Sequence, residues 1–211
     1  RDAARGTDED RLAARVDPER PRLERAGGRV RLGDGEWSAR GGSAQSGERV
    51  EINLAADSWL AQIGERLERG VALIIDYGDT APSRYSPTRR EGTLLGYHGG
   101  AVTDDLLARP GEQDLTALVD FTSLERSAVR AGFQVSGLTR QAPFLLGLGL
   151  GTEIRAEREA AGLDDALAMR RGMHALVDMD GLGRFHVLVL SKGLDLAEVR
   201  AGLGGLRYPT L

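Results

Sequence analysis

The chain has 211 residues, enough for one sizeable domain with a buried core, and a formal net charge of −4, which argues against a surface built to bind nucleic-acid phosphates. It has no cysteine, so neither a disulfide framework nor a thiolate zinc site can form. No apolar run approaches the ~20 residues needed to cross a bilayer and no charged-then-apolar leader is visible, so the expectation is a cytoplasmic protein without membrane insertion.

The chain opens on Arg1 and shows almost no apolar periodicity over residues 1–50; the expectation is that the natural start lies upstream. Nearly all of the positive charge is arginine, with Lys192 the only lysine, a bias that fits a GC-rich coding sequence better than a binding function. Arg1 to Arg25 is charged and broken by prolines. GGRVRLGDGEWSARGGSAQSGERVEI then predicts short strands around Gly33, Asp34 and Gly35, followed by a Gly/Ser-rich link. Residues 1–50 read as a peripheral insertion, and residues 51–211 as the main domain.

From Asp57 the pattern changes. Trp59, Leu60, Ile63 and Leu67 fall on one helical face, and Gly70 closes the element. VALIIDYG, Val71 to Gly78, is a continuous β-branched run that predicts a strand of a parallel sheet, buried on both faces. Asp76, Tyr77 and Gly78 then stand at its C-terminal end, where open α/β sheets bind ligands. Asp79 to Gln113 is a polar connection longer than ordinary loops, and loops of that length are usually functional or disordered.

A second helix follows, with Thr122 and Glu125 as a T-x-x-E capping box, Leu124, Ala128, Val129 and Ala131 as its apolar side, and Gly132 as its end. Phe133 to Thr139 predicts a strand, Ala142 to Arg171 helical pieces interrupted by glycines, and Arg184 to Ser191 a last strand. This order of helices and strands is α/β.

GLGLG at Gly147 to Gly151 invites a nucleotide-binding reading, but it lacks the strand before it and the helix opening on it. It reads instead as the end of a short helix whose glycines permit close packing. His98, His174 and His186 have no i, i+3 or i, i+4 ligand pair, so no metal site is expected. G-x-S-x-G, P-loop and H-E-x-x-H motifs are absent.

The acids are more informative. Asp76 alone reads as a cap or ion-pair partner, and Asp120 alone as the start of a helix. Taken together, Glu112, Asp114 and Asp120 are delivered by the connection that begins at Asp76, so they can gather over the sheet edge. Carboxylates in such a ring hold a guanidinium in bidentate fashion and suit a cationic substrate.

RGVALIIDYGDT, REGTLLGYH, RPGEQDLTALVDFTSL, AGFQVSGLTRQAPFLLGLGL and GRFHVLVLSKG, in that order, resemble the C-terminal half of the MidA-like family of class I S-adenosylmethionine-dependent methyltransferases. The resemblance runs from about Val50 to Leu211. It implies a Rossmann-like sheet with an antiparallel last strand, S-adenosyl-L-methionine as cofactor, and a protein substrate methylated on arginine. For the mitochondrial members that substrate is a subunit of respiratory complex I.

The family's glycine-rich cofactor loop and ribose-binding acid precede the matched region and have no counterpart in residues 1–50. The expectation is therefore a chain lacking the N-terminal cofactor half, with no cofactor-binding residue of its own. Carried over by motif, the matching positions are Asp76, Tyr77 and Gly78, then Gly92, Thr93 and Tyr97, then Asp114, Leu115, Thr116, Asp120 and Phe121, and Gln141. Of these, Asp76, Asp114 and Asp120 are the candidate catalytic groups, and Tyr77, Gly78, Tyr97, Thr116 and Gln141 the candidate substrate-binding ones. Leu118 stands where many relatives carry a histidine. The rival reading is a non-catalytic assembly module that holds an arginine-rich partner on the acidic rim. A nicotinamide oxidoreductase is the third, and the lack of a G-x-G-x-x-G after a strand counts against it.

Overall fold

The computed structural model describes residues 23–26, 29–32, 35–37, 50–152 and 163–207. The charged opening and the Gly/Ser link therefore fall largely outside the described residues, as does the stretch 153–162 within the expected helical pieces. Strands β1 (Leu23–Ala26), β2 (Arg29–Leu32) and β3 (Gly35–Trp37) pair antiparallel in a three-stranded sheet. The turn-rich sequence between them predicts that arrangement.

Helix α1 (Ala56–Arg66) leads into β4 (Gly70–Asp76), and one residue later into β5 (Gly78–Asp79). The expected long loop is not structureless. It contains a single-turn helix α2 (Ala81–Arg84), a 3-10 turn at Pro87–Arg89 and strands β6 (Leu95–His98), β7 (Ala101–Thr103) and β8 (Asp114–Thr116), which form a sheet of order β7-β6-β8. These strands are only three or four residues long, too short for an alternating pattern to emerge from a polar stretch.

Strand β9 (Val119–Asp120) follows, then α3 (Phe121–Arg130), β10 (Gln134–Arg140), α4 (Gln141–Gly147), α5 (Leu163–Val177), β11 (His186–Lys192) and α6 (Leu196–Gly202). The central sheet has the order β10-β11-β4, with β11 antiparallel to both neighbours. Strands β4 and β10 therefore run in the same direction, joined through α3. β11 is the antiparallel last strand that the resemblance implies.

Apolar side chains cover this sheet on both faces, but unequally. On one face Leu60 of α1, Phe121, Leu124 and Ala128 of α3, and Phe133 pack with Leu188 and Leu190 of β11, and Ala72 and Ile74 of β4 join them. On the other, Phe144 of α4 packs on Val187 and Val189, with Leu145, Leu203 and Leu206 around them. Each such buried side chain contributes about 1.5–3 kcal/mol. Gly147 lies so close to the backbone of Gly204 and Gly205 that a Cβ would collide with it, so the first glycine of GLGLG does permit close packing. Lys192 donates from Nζ to the carbonyl of Gly64 at 2.5 Å, capping the end of α1.

Several sequence expectations need correction. β4 is neither in a parallel sheet nor buried on both faces: its partner β11 is antiparallel, and Val71, Leu73 and Ile75 are exposed. An apolar run reports what a strand could bury, and among the described residues β4 stands at the edge of its sheet. Trp59 is 48% exposed, because one residue turns a helix by about 100° away from Leu60. Val129 is likewise off the buried side, 59% exposed. The cap of α3 is Asp120, which accepts from Ser123 N at 3.0 Å, not Thr122, whose hydroxyl accepts from Ala81 N.

The candidate acceptor site

Strand β5 pairs parallel with β9, Gly78 opposite Val119 and Asp79 opposite Asp120, and Val119 N donates to Tyr77 O at 3.1 Å. The crossing is tight. A Cβ at Gly78 would strike the Val119 carbonyl and lie 2.8 Å from the Phe121 ring, so only glycine lets IDYG and VDF meet here. This contact brings the end of β4 to the end of the long connection.

At that junction Asp76 accepts from Tyr77 N at 2.7 Å. The Tyr77 ring meets Phe185 edge-on at 5.7 Å. Burial pushes the Tyr77 phenol up, and the nearby Asp76 carboxylate and Tyr97 phenol add to the rise. Tyr97 in turn stands opposite Asp114 across the β6–β8 pair, with Leu95 opposite Thr116. Side chains opposite each other in such a pair share one face. Tyr97 is thus the cross-strand partner of Asp114 and lies close enough to Tyr77 to influence its phenol, as Asp76 does.

The remaining sequence-derived residues are placed differently. Asp120 is occupied: besides Ser123 N, it accepts from Ser123 Oγ at 2.8 Å and from Tyr85 OH at 2.9 Å. Burial, and after it the Asp120 charge, push the Glu125 carboxyl up. Thr116 Oγ is buried without a hydrogen-bond partner.

Gln141, at the start of α4, donates from Nε2 to Leu176 O at 2.9 Å and from its backbone to Phe185 O at 2.8 Å. It therefore braces the Phe185 that packs on Tyr77, and its own side chain is engaged with α5. Glu112 is exposed, and its carbonyl is bound by His98 Nδ1 at 2.7 Å.

Sequence reasoning missed a buried polar cluster beneath this rim. Glu51 binds Arg84, Thr93 and Leu94, and Arg84 stands over the ring of Tyr85. Burial and the surrounding charges push the Tyr85 phenol well above its ordinary range, with Asp120 first among those charges. Glu51 lies 33 to 43 residues from Arg84, Thr93 and Leu94, so no local spacing could reveal these pairs. The one available signal is a glutamate between Val50 and Ile52, an acid inside a strand-like run.

His186 is buried, in contact with the Phe121 ring at 4.7 Å and with Arg140 Nη1 3.2 Å from its Nδ1. Arginine only donates, so Nδ1 accepts. Burial, with the Arg140 charge, holds its pKa below the ordinary value. Among the described residues no group of three or more acids and histidines is arranged to hold a metal, and no helix is long and apolar enough to cross a membrane.

Residues 23–139 match the model of a family described as putative S-adenosyl-L-methionine-dependent methyltransferases. The chain belongs to this MidA-like methyltransferase family. It is 32% identical over 147 residues to the mouse mitochondrial protein arginine methyltransferase NDUFAF7, and 32% identical over 148 to the rat protein. Each match takes in 68% of this chain and 32% of the relative. The chain thus spans about a third of the length of these relatives.

A COG1565 superfamily member from Burkholderia thailandensis, solved with S-adenosyl-homocysteine bound, superposes with a TM-score of 0.68 at 28% identity, over 78% of this chain and 41% of its own. An uncharacterized protein of that superfamily, from the same organism, gives 0.67 at 26%, over 89% and 51%. The family's cofactor is S-adenosyl-L-methionine. The glycine-rich turn at 147–151 follows a helix; its first glycine, Gly147, is packed against the backbone of Gly204 and Gly205, whereas Gly149 and Gly151 have open space around them.

Proposed function

We propose that this chain supplies the acceptor-binding part of an S-adenosyl-L-methionine-dependent protein arginine methyltransferase, with a respiratory-complex subunit as the first acceptor to try. The observation that carries the reading is the register: Tyr97 opposite Asp114, beside Tyr77 and Asp76, at the point where β5 meets β9. Two exposed phenol rings and two carboxylates are the groups that hold a guanidinium, the rings against its planar face and the acids against its N–H edges. Methyl transfer requires the acceptor nitrogen in line with the methyl carbon, so holding that plane still is a large part of the catalytic task.

The relatives named as protein arginine methyltransferases support the class of acceptor. Asp114 is assigned the main contact, because its side chain is exposed on the rim. Asp120 acts behind it through the β9–α3 junction. In the full-length enzyme, Asp114→Ala lowers methyl transfer to an arginine peptide by about 30-fold or more, the loss of one charge-assisted contact of about 2 kcal/mol or above. Calorimetry with S-adenosyl-L-methionine shows unchanged cofactor affinity. Undiminished transfer removes the assignment, and peptide binding without any methyl mark favours the assembly-module reading.

A further inference from the structure

One carboxylate beneath the rim ties together segments far apart in sequence. Glu51 Oε1 accepts from Thr93 N at 3.0 Å and Leu94 N at 3.3 Å. Its Oε2 accepts from Thr93 Oγ1 at 2.8 Å and from Arg84 Nη2 at 3.1 Å. That same Nη2 also donates to the Glu51 carbonyl at 2.9 Å. Thr93 passes the connection on, because its Oγ1 accepts from Leu118 N at 3.1 Å.

The chain positions give these bonds their meaning. Thr93 and Leu94 immediately precede β6, which carries Tyr97, and Leu118 stands between β8, which carries Asp114, and β9. Glu51 therefore fastens the foot of β6 directly and that of β8 through the Thr93 hydroxyl. On the other side, Arg84 is 5% exposed, lies over the Tyr85 ring at 5.4 Å and directs Nη1 to Tyr85 OH at 3.4 Å. Tyr85 OH then donates to Asp120. A buried guanidinium with these few partners is stable only beside its acid.

We propose that Glu51 is a positioning residue for the acceptor site: it clamps the base of the β6–β8 pair and so sets where Tyr97 and Asp114 stand relative to Tyr77. The proposal rests on the acceptor reading above, and it assigns Glu51 no contact with substrate. The charge is well maintained. Burial alone would push the Glu51 carboxyl up, yet the Thr93 amide and hydroxyl and the Arg84 guanidinium outweigh it and hold the group below its ordinary value.

The test uses the full-length enzyme with Glu51→Gln and, because that variant leaves Arg84 without its counter-charge and could fold poorly, Thr93→Val, which keeps the Glu51–Arg84 pair. Amide exchange is read at Leu94 and Leu118, with Val187 to Leu190 of β11 as internal reference. Steady-state kinetics are read with an arginine peptide. Glu51→Gln raises exchange at Leu94 and Leu118 by about 10-fold or more with β11 unchanged. Thr93→Val, which removes the acceptor of Leu118 N and spares that of Leu94 N, raises it by as much at Leu118. Both raise the peptide KM by about 10-fold while kcat and cofactor affinity stay within about twofold.

Exchange unchanged at Leu94 and Leu118, or raised equally in β11, overturns the clamp. A raised exchange with an unchanged peptide KM overturns the positioning role. If wild-type enzyme methylates no guanidinium acceptor, the acceptor reading fails, and the exchange result alone decides whether Glu51 is the clamp.

Discussion

Strands β11 and β4 have the same length, seven residues each, and nearly the same apolar content, yet their environments are unlike. Val187, Leu188, Val189 and Leu190 are fully buried, whereas in β4 the side chains alternate and Val71, Leu73 and Ile75 are exposed. The register places Ile75 opposite Val187 and Leu73 opposite Val189, so one row of side chains passes from a covered to an uncovered half of a single sheet face. α4 and the Gly204–Leu206 turn cover the β11 half. The environment of an apolar strand is thus set by its neighbours in the sheet and by the helix above it, and only then by its sequence.

This contrast is most directly broken by truncating matched leucines. Leu188→Ala removes a side chain packed from both the α1 and α3 sides and leaves a cavity; it costs about 2–5 kcal/mol, a loss of roughly 5–15 °C in Tm for a chain of this size. Leu73→Ala, at a side chain already 49% exposed, costs less than about 1 kcal/mol. Urea unfolding of both variants measures the gap. Equal losses mean that the exposed row is covered in solution, and an edge strand with an apolar outer face does invite such pairing.

A smaller effect tests whether the β9–α3 junction is structure, site or both. Asp120→Ala removes the cap of α3 and the acceptor for Tyr85 OH, costing about 0.5–2 kcal/mol. Asp120→Asn keeps one oxygen for the cap but replaces the other, which accepts from Tyr85 OH and Ser123 Oγ, with an amide donor, so it loses less stability than the alanine variant. Methyl transfer by the asparagine enzyme then reports the loss of the charge and of that second acceptor with the cap retained. If it matches wild type while the alanine enzyme is both less stable and slower, Asp120 serves the site only by holding Phe121 and Tyr85 in place.

These examples also show what could be read from residues alone. Leu60, Leu124 and Ala128 were legible as core because each lies on the centre of a helical stripe, and Trp59 and Val129 were misplaced because the stripe has edges that packing decides. The acids of IDYG and GEQDLTALVDF were expected to gather at one sheet edge; the β5–β9 pairing sets Asp79 opposite Asp120, and Asp114 stands opposite Tyr97. The β6–β8 pair was not legible, and neither was Glu51, because cross-strand partners and buried ion pairs are set by tertiary register and leave no periodic trace. The cap of α3 shifted from Thr122 to Asp120 because both residue types favour that position, and only the β5–β9 pairing chooses between them.

The smallest expected effect lies at the covered end of β11. His186 is opposite Asp76 in register and is faced by Arg140 of β10, by Asp79 and by the backbone of Gly78. Burial disfavours its charged form, Arg140 adds to this, and Asp79 and the Gly78 backbone oppose them without reversing the sign, so the folded value lies below 6.5. Below that ordinary value the unfolded chain takes up a proton that the folded chain resists. Stability from this group is therefore complete above 6.5 and is lost as the pH falls toward the folded value. His186→Gln removes the titration, so the stability difference between about pH 7 and about pH 5.5 is smaller in the variant than in wild type. Glu51, also held low, contributes with the same sign but only below 4.5, which keeps the two windows apart. Equal slopes in urea midpoints between the two pH values would show that water reaches the ring and that the cover over β11 is looser than its side-chain packing implies.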